Sequence, residues 1–253
     1  MNVVFIVLDT LRRDRVGAYS DAVEFTPHLD RFADDAVVYE DAVAQAPWTL
    51  PSHASMFTGL YPWEHDATQK NLYLETDQEL LAERFDDAGY RTACYTANTW
   101  LSPYTGMTDG FDEVDNFFPV LPSDLLPGVG RGLLRRVGER TLGVLTAIGD
   151  RFHAFFEKRG DESKTATILE KAERFIDGCG DDEEFFLFLN LLDPHEPYYP
   201  PEEYRERHAP GVDPHDLCHD PAAYYAGEED VDIAAMQELY DASVDYLDDQ
   251  VGG

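Results

Sequence analysis

The sequence predicts an α/β fold with a largely parallel central sheet flanked by helices. Three observations carry this expectation. The chain opens on a continuous apolar, β-branched run; two similar runs recur at 91–97 and 185–192; and helix-like segments with readable ends lie between them. Strands that alternate with helices pair in parallel, because each crossover helix returns the chain to the same end of the sheet.

In chain order, Asn2-Val3-Val4-Phe5-Ile6-Val7-Leu8 shows no polar alternation, so it reads as a strand buried on both faces, ending at Asp9. Thr26 and Pro27 then take N-cap and first helical positions ahead of Leu29, Phe32 and Ala36. Within Ala46 to Pro62, a helix is expected from Thr49, with Pro51 in its first turn and Gly59 just past its end. Thr76 precedes Leu80, Leu81 and Phe85 in a helix that Gly89 closes, and a strand follows from Arg91 to Ala97. A helical insertion is expected at about 121–160, with Leu133, Leu134, Val137, Leu145, Ile148, Phe152 and Phe155 at helical spacing. Ser163 opens a helix with Ile168, Ala172 and Phe175 on one face and Gly178 at its end; a strand follows from Phe185 to Leu192. Proline-rich loops span 193–201 and 210–221, and Met236 to Val251 reads as a last helix.

Charge sets the second constraint. Thirty Asp and 21 Glu stand against 15 Arg and 4 Lys, a net −32 over 253 residues. Such a surface repels phosphate backbones, so a nucleic-acid partner is excluded, and membrane contact is not expected. Disorder is excluded by 15 Phe, 14 Tyr and the apolar runs. The acidic excess is spread along the chain, as in proteins of a salt-loaded cytoplasm, where molar salt screens self-repulsion within about 3 Å. Loss of the fold at low salt follows. Cys94, Cys179 and Cys218 have no disulfide or metal spacing, and the run before Asp9 is too short for a signal h-region or a membrane span, so a cytoplasmic location is expected.

Two residues have placements that suggest chemistry. Asp9 follows a strand, and the carboxyl ends of strands in such sheets are where ligands bind; a divalent cation and a simple turn both fit it. Thr49 opens a helix, where backbone N–H groups and the dipole favour an alkoxide and an incoming oxyanion, although threonine is also a common N-cap. Arg131, Arg135, Arg136, Arg140, Arg151, Lys158 and Arg159 form the cationic neighbourhood of the insertion, read either as ion-paired with surrounding carboxylates or as steering an anionic substrate or touching an anionic membrane. His208, Asp213, His215, Asp216, Cys218, His219 and Asp220 have zinc-ligand types without a zinc spacing.

The order of these segments resembles the sulfatase family of the alkaline phosphatase superfamily. The resemblance rests on Asp9 with Arg12 and Asp14, then Thr26-Pro27-His28-Leu29-Asp30, then Thr49-Leu50-Pro51-Ser52-His53 leading to Thr58-Gly59 and Tyr61-Pro62. It continues at Asp193-Pro194-His195-Glu196-Pro197-Tyr198. It implies an alkaline phosphatase-like fold and a metal-dependent hydrolase or transferase of sulfate or phosphate esters, on small molecules or glycans. By the same resemblance Thr49, His195 and His53 are catalytic, and Asp9 and Thr49 hold a divalent cation: calcium, manganese, zinc or magnesium.

Two departures from the family pattern matter. Sulfatases convert a Cys or Ser to formylglycine where this chain has Thr49, and carry Arg where it has His53. The threonine form looks like the phosphodiesterases and phosphoglycol or phosphoethanolamine transferases of the superfamily, which favours phosphorus over sulfur. The family's second metal-ligand segment, Asp-His-Gly, is not present, so residues 1–253 read as the N-terminal part of a sulfatase-like catalytic domain. A catalytically silent relative that binds an anionic glycan or a protein partner is the alternative.

Overall fold

The computed structural model describes residues 1–117, 164–218 and 232–253. The expected insertion at 121–160, the helix start at Ser163, and His219 and Asp220 lie outside them. The chain divides into two compact units: Met1–Pro119 with Lys164–His195 and Val244–Gly253, and Val120–Ser163 with Glu196–Ser243.

The first unit is built on four parallel strands, β1 (Val3–Leu8), β2 (Arg91–Thr96), β3 (Glu113–Asn116) and β4 (Phe185–Leu191), in the order β1-β4-β2-β3. The α/β reading is therefore correct. Around the sheet lie α1 (Pro27–Asp34), α2 (Thr49–Thr58), α3 (Pro62–His65), α4 (Leu81–Asp87) and α5 (Thr165–Asp177).

Strand alternation sorts the core into two halves. Cys94, Phe186 and Phe188 join Leu50, Ala54 and Phe57 of α2, with Val3, Phe5 and Val7 packed against them. Ala93, Tyr95, Phe185, Leu187 and Leu189 point the other way, onto Ile168, Ala172 and Phe175 of α5 and Leu247. Phe188 meets Phe57 edge to face at 4.9 Å and Phe5 at 5.4 Å. Each such ring contributes about 1.5–3 kcal/mol through burial and each pair about 0.5–1.5 kcal/mol more.

Two expectations need correction. β1 is not buried along the whole of both faces: Val4 is 46% and Ile6 38% exposed, while Leu8 on that face packs against the α5-side core and Val3, Phe5 and Val7 pack against the α2-side core. Thr76 does not start α4. Its hydroxyl accepts from Gln78 N in a local turn, and the helix begins at Leu81, where the Glu83 carboxylate accepts from Leu80 N. Thr26 and Pro27 hold the N-cap and first positions of α1, as expected, but the Thr26 hydroxyl makes no capping bond; it accepts from Gly17 N and donates to Asp30. The cap comes from the distant Asp248, whose two carboxylate oxygens accept from His28 N (2.9 Å) and Leu29 N (2.8 Å).

Asp248 belongs to α7 (Ile233–Gly252), whose last nine residues belong to the first unit. The second unit, among its described residues, has α6 (Glu202–His208), a 3-10 turn at Pro214–Asp216 and the start of α7, with Tyr198 edge-on to Tyr240 and Tyr199 beside His215. No described helix is long and apolar enough to cross a membrane.

Candidate active site

The carboxyl ends of the strands hold the site. Asp9 follows β1 directly, and its N–H donates to Leu191 O at 2.9 Å, which continues the pairing with β4 one step past Leu8. Asp9 keeps the parity of Val3, Phe5 and Val7, so its side chain emerges on the α2 side of the sheet. Thr10 then turns the chain with φ 59, a left-handed conformation uncommon for a threonine.

Thr49 stands over the same sheet edge. The preceding Trp48 is extended and takes the N-cap place, so Thr49 is the first helical residue of α2 and not its cap. Its hydroxyl makes no capping bond and instead donates to Asp9 Oδ2 at 3.4 Å. At the other end Gly59, with φ 73, terminates the helix as expected.

His53, one turn along α2, is 2% exposed. Its Nδ1 lies 2.9 Å from Thr49 O and its Nε2 3.3 Å from Asn190 Nδ2. A carbonyl oxygen only accepts and an amide nitrogen only donates, so the proton sits on Nδ1 and Nε2 accepts. Burial pushes the imidazole below its ordinary pKa, against the Thr49 carbonyl and the Asp9 charge, which pull it up. The ring is therefore neutral and does not replace the charge of the family's arginine.

Two asparagines, neither singled out from the sequence, complete the cluster. Asn98 Nδ2 donates to Asp9 Oδ2 at 3.0 Å and to Thr49 Oγ1 at 3.4 Å. Asn190 Nδ2 donates to Asp9 Oδ2 at 3.2 Å, and its Oδ1 accepts from the Thr96 hydroxyl at 3.2 Å. Asn190 shares the parity of Phe186 and Phe188, which carries its amide to the same face as His53. The available signal was a single amide inside the apolar run Phe185-Phe186-Leu187-Phe188-Leu189-Asn190-Leu191, since a buried polar group needs partners of its own kind.

The structure thus brings Asp9, Thr49 and His53 together. His195 is half-buried on the loop four residues beyond β4, at the same sheet end, where its N–H donates to Leu192 O at 2.8 Å. The Thr165 hydroxyl of α5 donates to Asp193 at the root of that loop.

Thr49 Oγ1 and Asp9 Oδ2 are hard oxygens 3.4 Å apart. Neighbouring donors on one small divalent cation, with bonds of about 2.0–2.2 Å, have about this separation, so the pair fits a cation that completes its shell with water and ester oxygens. Among the described residues of the 208–220 cluster, His208, Asp213, His215, Asp216 and Cys218 do not form a comparable site. Among the described residues, the group of three metal-type side chains within 4.8 Å is His28, Asp248 and Asp249. There Asp248 is engaged in capping α1 and the Arg31 guanidinium donates to His28 Nδ1 at 2.7 Å, which assigns the group to holding α1 and α7 together.

The chain as a whole is similar to known proteins in sequence and in fold. The chain is 25% identical to the uncharacterized sulfatase YidJ of Escherichia coli over 99% of its own length and 52% of that protein. Its fold is similar to the phosphonate monoester hydrolase of Agrobacterium radiobacter, with a TM-score of 0.64 at 19% identity, covering 99% of this chain and 57% of that one. It is also similar to the C-terminal periplasmic domain of EcEptC from Escherichia coli in complex with zinc, with a TM-score of 0.59 at 17% identity over 99% and 57% of the two chains. The chain therefore spans about half the length of these relatives. The family model described as Sulfatase matches residues 1–253, and the chain belongs to the sulfatase family.

Proposed function

We propose that this chain serves a metal-dependent hydrolase or transferase of phosphate or sulfate esters, with Thr49 as the nucleophile. The observation that supports it most is the Thr49 hydroxyl at the N-terminal end of α2, pointed at the Asp9 carboxylate instead of capping its own helix. Asp9 and Thr49 would hold a divalent cation, which supplies a lowered hydroxyl pKa and a polarised ester. The membership of the sulfatase family supports ester chemistry, and the zinc-bound relative supports the cation.

The chain's own residues then have distinct tasks. The Thr49 proton leaves along its bond toward Asp9 Oδ2 while Oγ1 bonds to phosphorus or sulfur. The ester oxygen departs with the electron pair of the broken bond and takes a proton from His195, the side chain type that titrates nearest neutrality. Water, or an acceptor alcohol, then attacks the phosphorus or sulfur as its bond to Oγ1 breaks; the attacking oxygen gives a proton to His195 and Oγ1 takes back the proton left on Asp9, which restores the starting hydroxyl. Neutral His53 holds the Thr49 carbonyl on one side and Asn190 on the other, which fixes the first turn of α2 against the sheet.

Phosphorus is favoured over sulfur, since threonine carries a β-methyl where the family's formylglycine precursor has none. The ester belongs to a small molecule or a glycan. The test is hydrolysis of nitrophenyl sulfate, phosphate monoester and phosphodiester in molar KCl with manganese or zinc, for the chain and for Thr49→Ala. Metal-dependent turnover that disappears in Thr49→Ala supports the assignment, and the preferred ester selects the element. Turnover that survives in a folded Thr49→Ala refutes it.

A further inference from the structure

We propose that Asn98 is a further catalytic residue, a fixed neutral donor to the oxygen on Thr49 and to the ester oxygen that replaces it there. This rests on the reading of Thr49 as nucleophile. The side chain is 5% exposed, and its orientation is determined, because Trp100 N donates to Oδ1 at 2.9 Å and a backbone N–H can meet only the oxygen end of the amide. The nitrogen end must therefore face Asp9 and Thr49, at 3.0 and 3.4 Å.

The backbone around it is held as firmly. Asn98 N donates to the Thr96 hydroxyl at 2.9 Å, and Asn98 O accepts from Asn116 Nδ2 at 2.8 Å. Thr96 is itself bonded to Asn190, so the end of β2 is tied to both neighbouring strands at the level of the site. A donor immobilised in this way needs no reorientation when charge develops, which is the condition under which such groups accelerate acyl and phosphoryl transfer most. The two hydrogens of Nδ2 divide the labour. One goes to Asp9, and the other lies where negative charge grows on Thr49 Oγ1 as its proton leaves, and on the transferred group's oxygen once the new bond forms.

The role differs from that of Asn190. Asn190 donates to Asp9 and His53 and has no bond to Thr49, so it positions other groups, whereas Asn98 touches the reacting oxygen.

The experiment compares the chain with Asn98→Ala and Asn98→Asp in molar KCl, using the nitrophenyl ester that the chain turns over best. Three readouts are taken: kcat and KM, Mn2+ affinity by calorimetry, and orthovanadate affinity in the presence of Mn2+. Asn98→Asp keeps the oxygen that Trp100 N needs and removes the donor, so it carries the test if the alanine variant fails to fold. The expected result is a loss of about 10²–10³ in kcat with KM within a few-fold, a comparable loss of vanadate affinity, and Mn2+ binding retained. A KM effect with kcat unchanged overturns the proposal, as does a loss of Mn2+ affinity that accounts for the whole loss of kcat, since Asn98 would then act only through Asp9. Turnover that persists in Thr49→Ala overturns the underlying reading instead, and is recognised because it does not involve Asn98.

Discussion

Replacing Asp248 by alanine removes the group that closes the N-terminal end of α1 from a helix more than 200 residues away in sequence. Its side chain is fully buried, and its two oxygens satisfy the His28 and Leu29 N–H groups. Loss of an ordinary cap costs about 0.5–2 kcal/mol, and hydrogen bonds to a charged group contribute about 1.5–3 kcal/mol each. Burial offsets part of this, as it pushes the Asp248 carboxyl above its ordinary pKa against the two N–H groups, which pull it down. A net destabilisation of about 2–4 kcal/mol is expected, which for a chain of this size lowers Tm by roughly 5–15 °C. Asp248→Asn keeps one acceptor and loses the charge, so it should cost about half as much. The assay is urea unfolding in molar KCl, read by far-ultraviolet circular dichroism at matched m-values. A loss below about 0.5 kcal/mol for Asp248→Ala would show that α1 does not depend on this cap and refute the reasoning.

Other outcomes follow from the same structure. Phe188→Ala should cost about 3–5 kcal/mol, since the ring is fully buried between Phe5 and Phe57; a urea midpoint within error of the parent would contradict the packing described. His53 and His65 are both held below the ordinary histidine pKa, chiefly by burial, so the unfolded chain binds more protons and stability should fall as pH drops below about 6.5, by at most about 1.4 kcal/mol per pH unit for each ring. His53→Gln should flatten that slope between pH 7 and 5, and an unchanged slope would remove His53 from the account. The net charge of −32 should make the fold depend on salt, and a melting curve with equal midpoints in dilute buffer and in molar KCl would end that idea.

Much of the fold was legible because its signals are local. The apolar runs located β1, β2 and β4 to within a residue or two, and Gly59 with Pro51 bounded α2. The failures share a cause, namely that they depend on neighbours that no single segment reveals. The exposure of Val4 and Ile6 depends on what packs over that face of β1, and the side chain that caps α1 is Asp248 and not the Thr26 that holds the N-cap position. β3 was missed because Glu113-Val114-Asp115-Asn116 has no apolar run to announce it. At the site, Asp9 and Thr49 could be named from their segments, and His53 from the family resemblance. Asn98 and Asn190 gained meaning only once β4 was seen to lie between β1 and β2, bringing both amides to Asp9.

The strand order also has a consequence for biosynthesis. β1 pairs with β4, from Val3 opposite Phe186 to Leu8 opposite Leu191, and β2 reaches β1 only through β4. At about 5–20 residues per second, roughly 10–40 s separate the emergence of the first strand from that of the strand that joins it. Once β2 has also emerged, about halfway through that interval, the nascent chain presents two apolar strands without their shared partner, and the carboxylate of Asp9 waits for an amide 181 positions downstream. A polypeptide with this connectivity has reason to keep its early segments heavily charged while it is still attached to the ribosome.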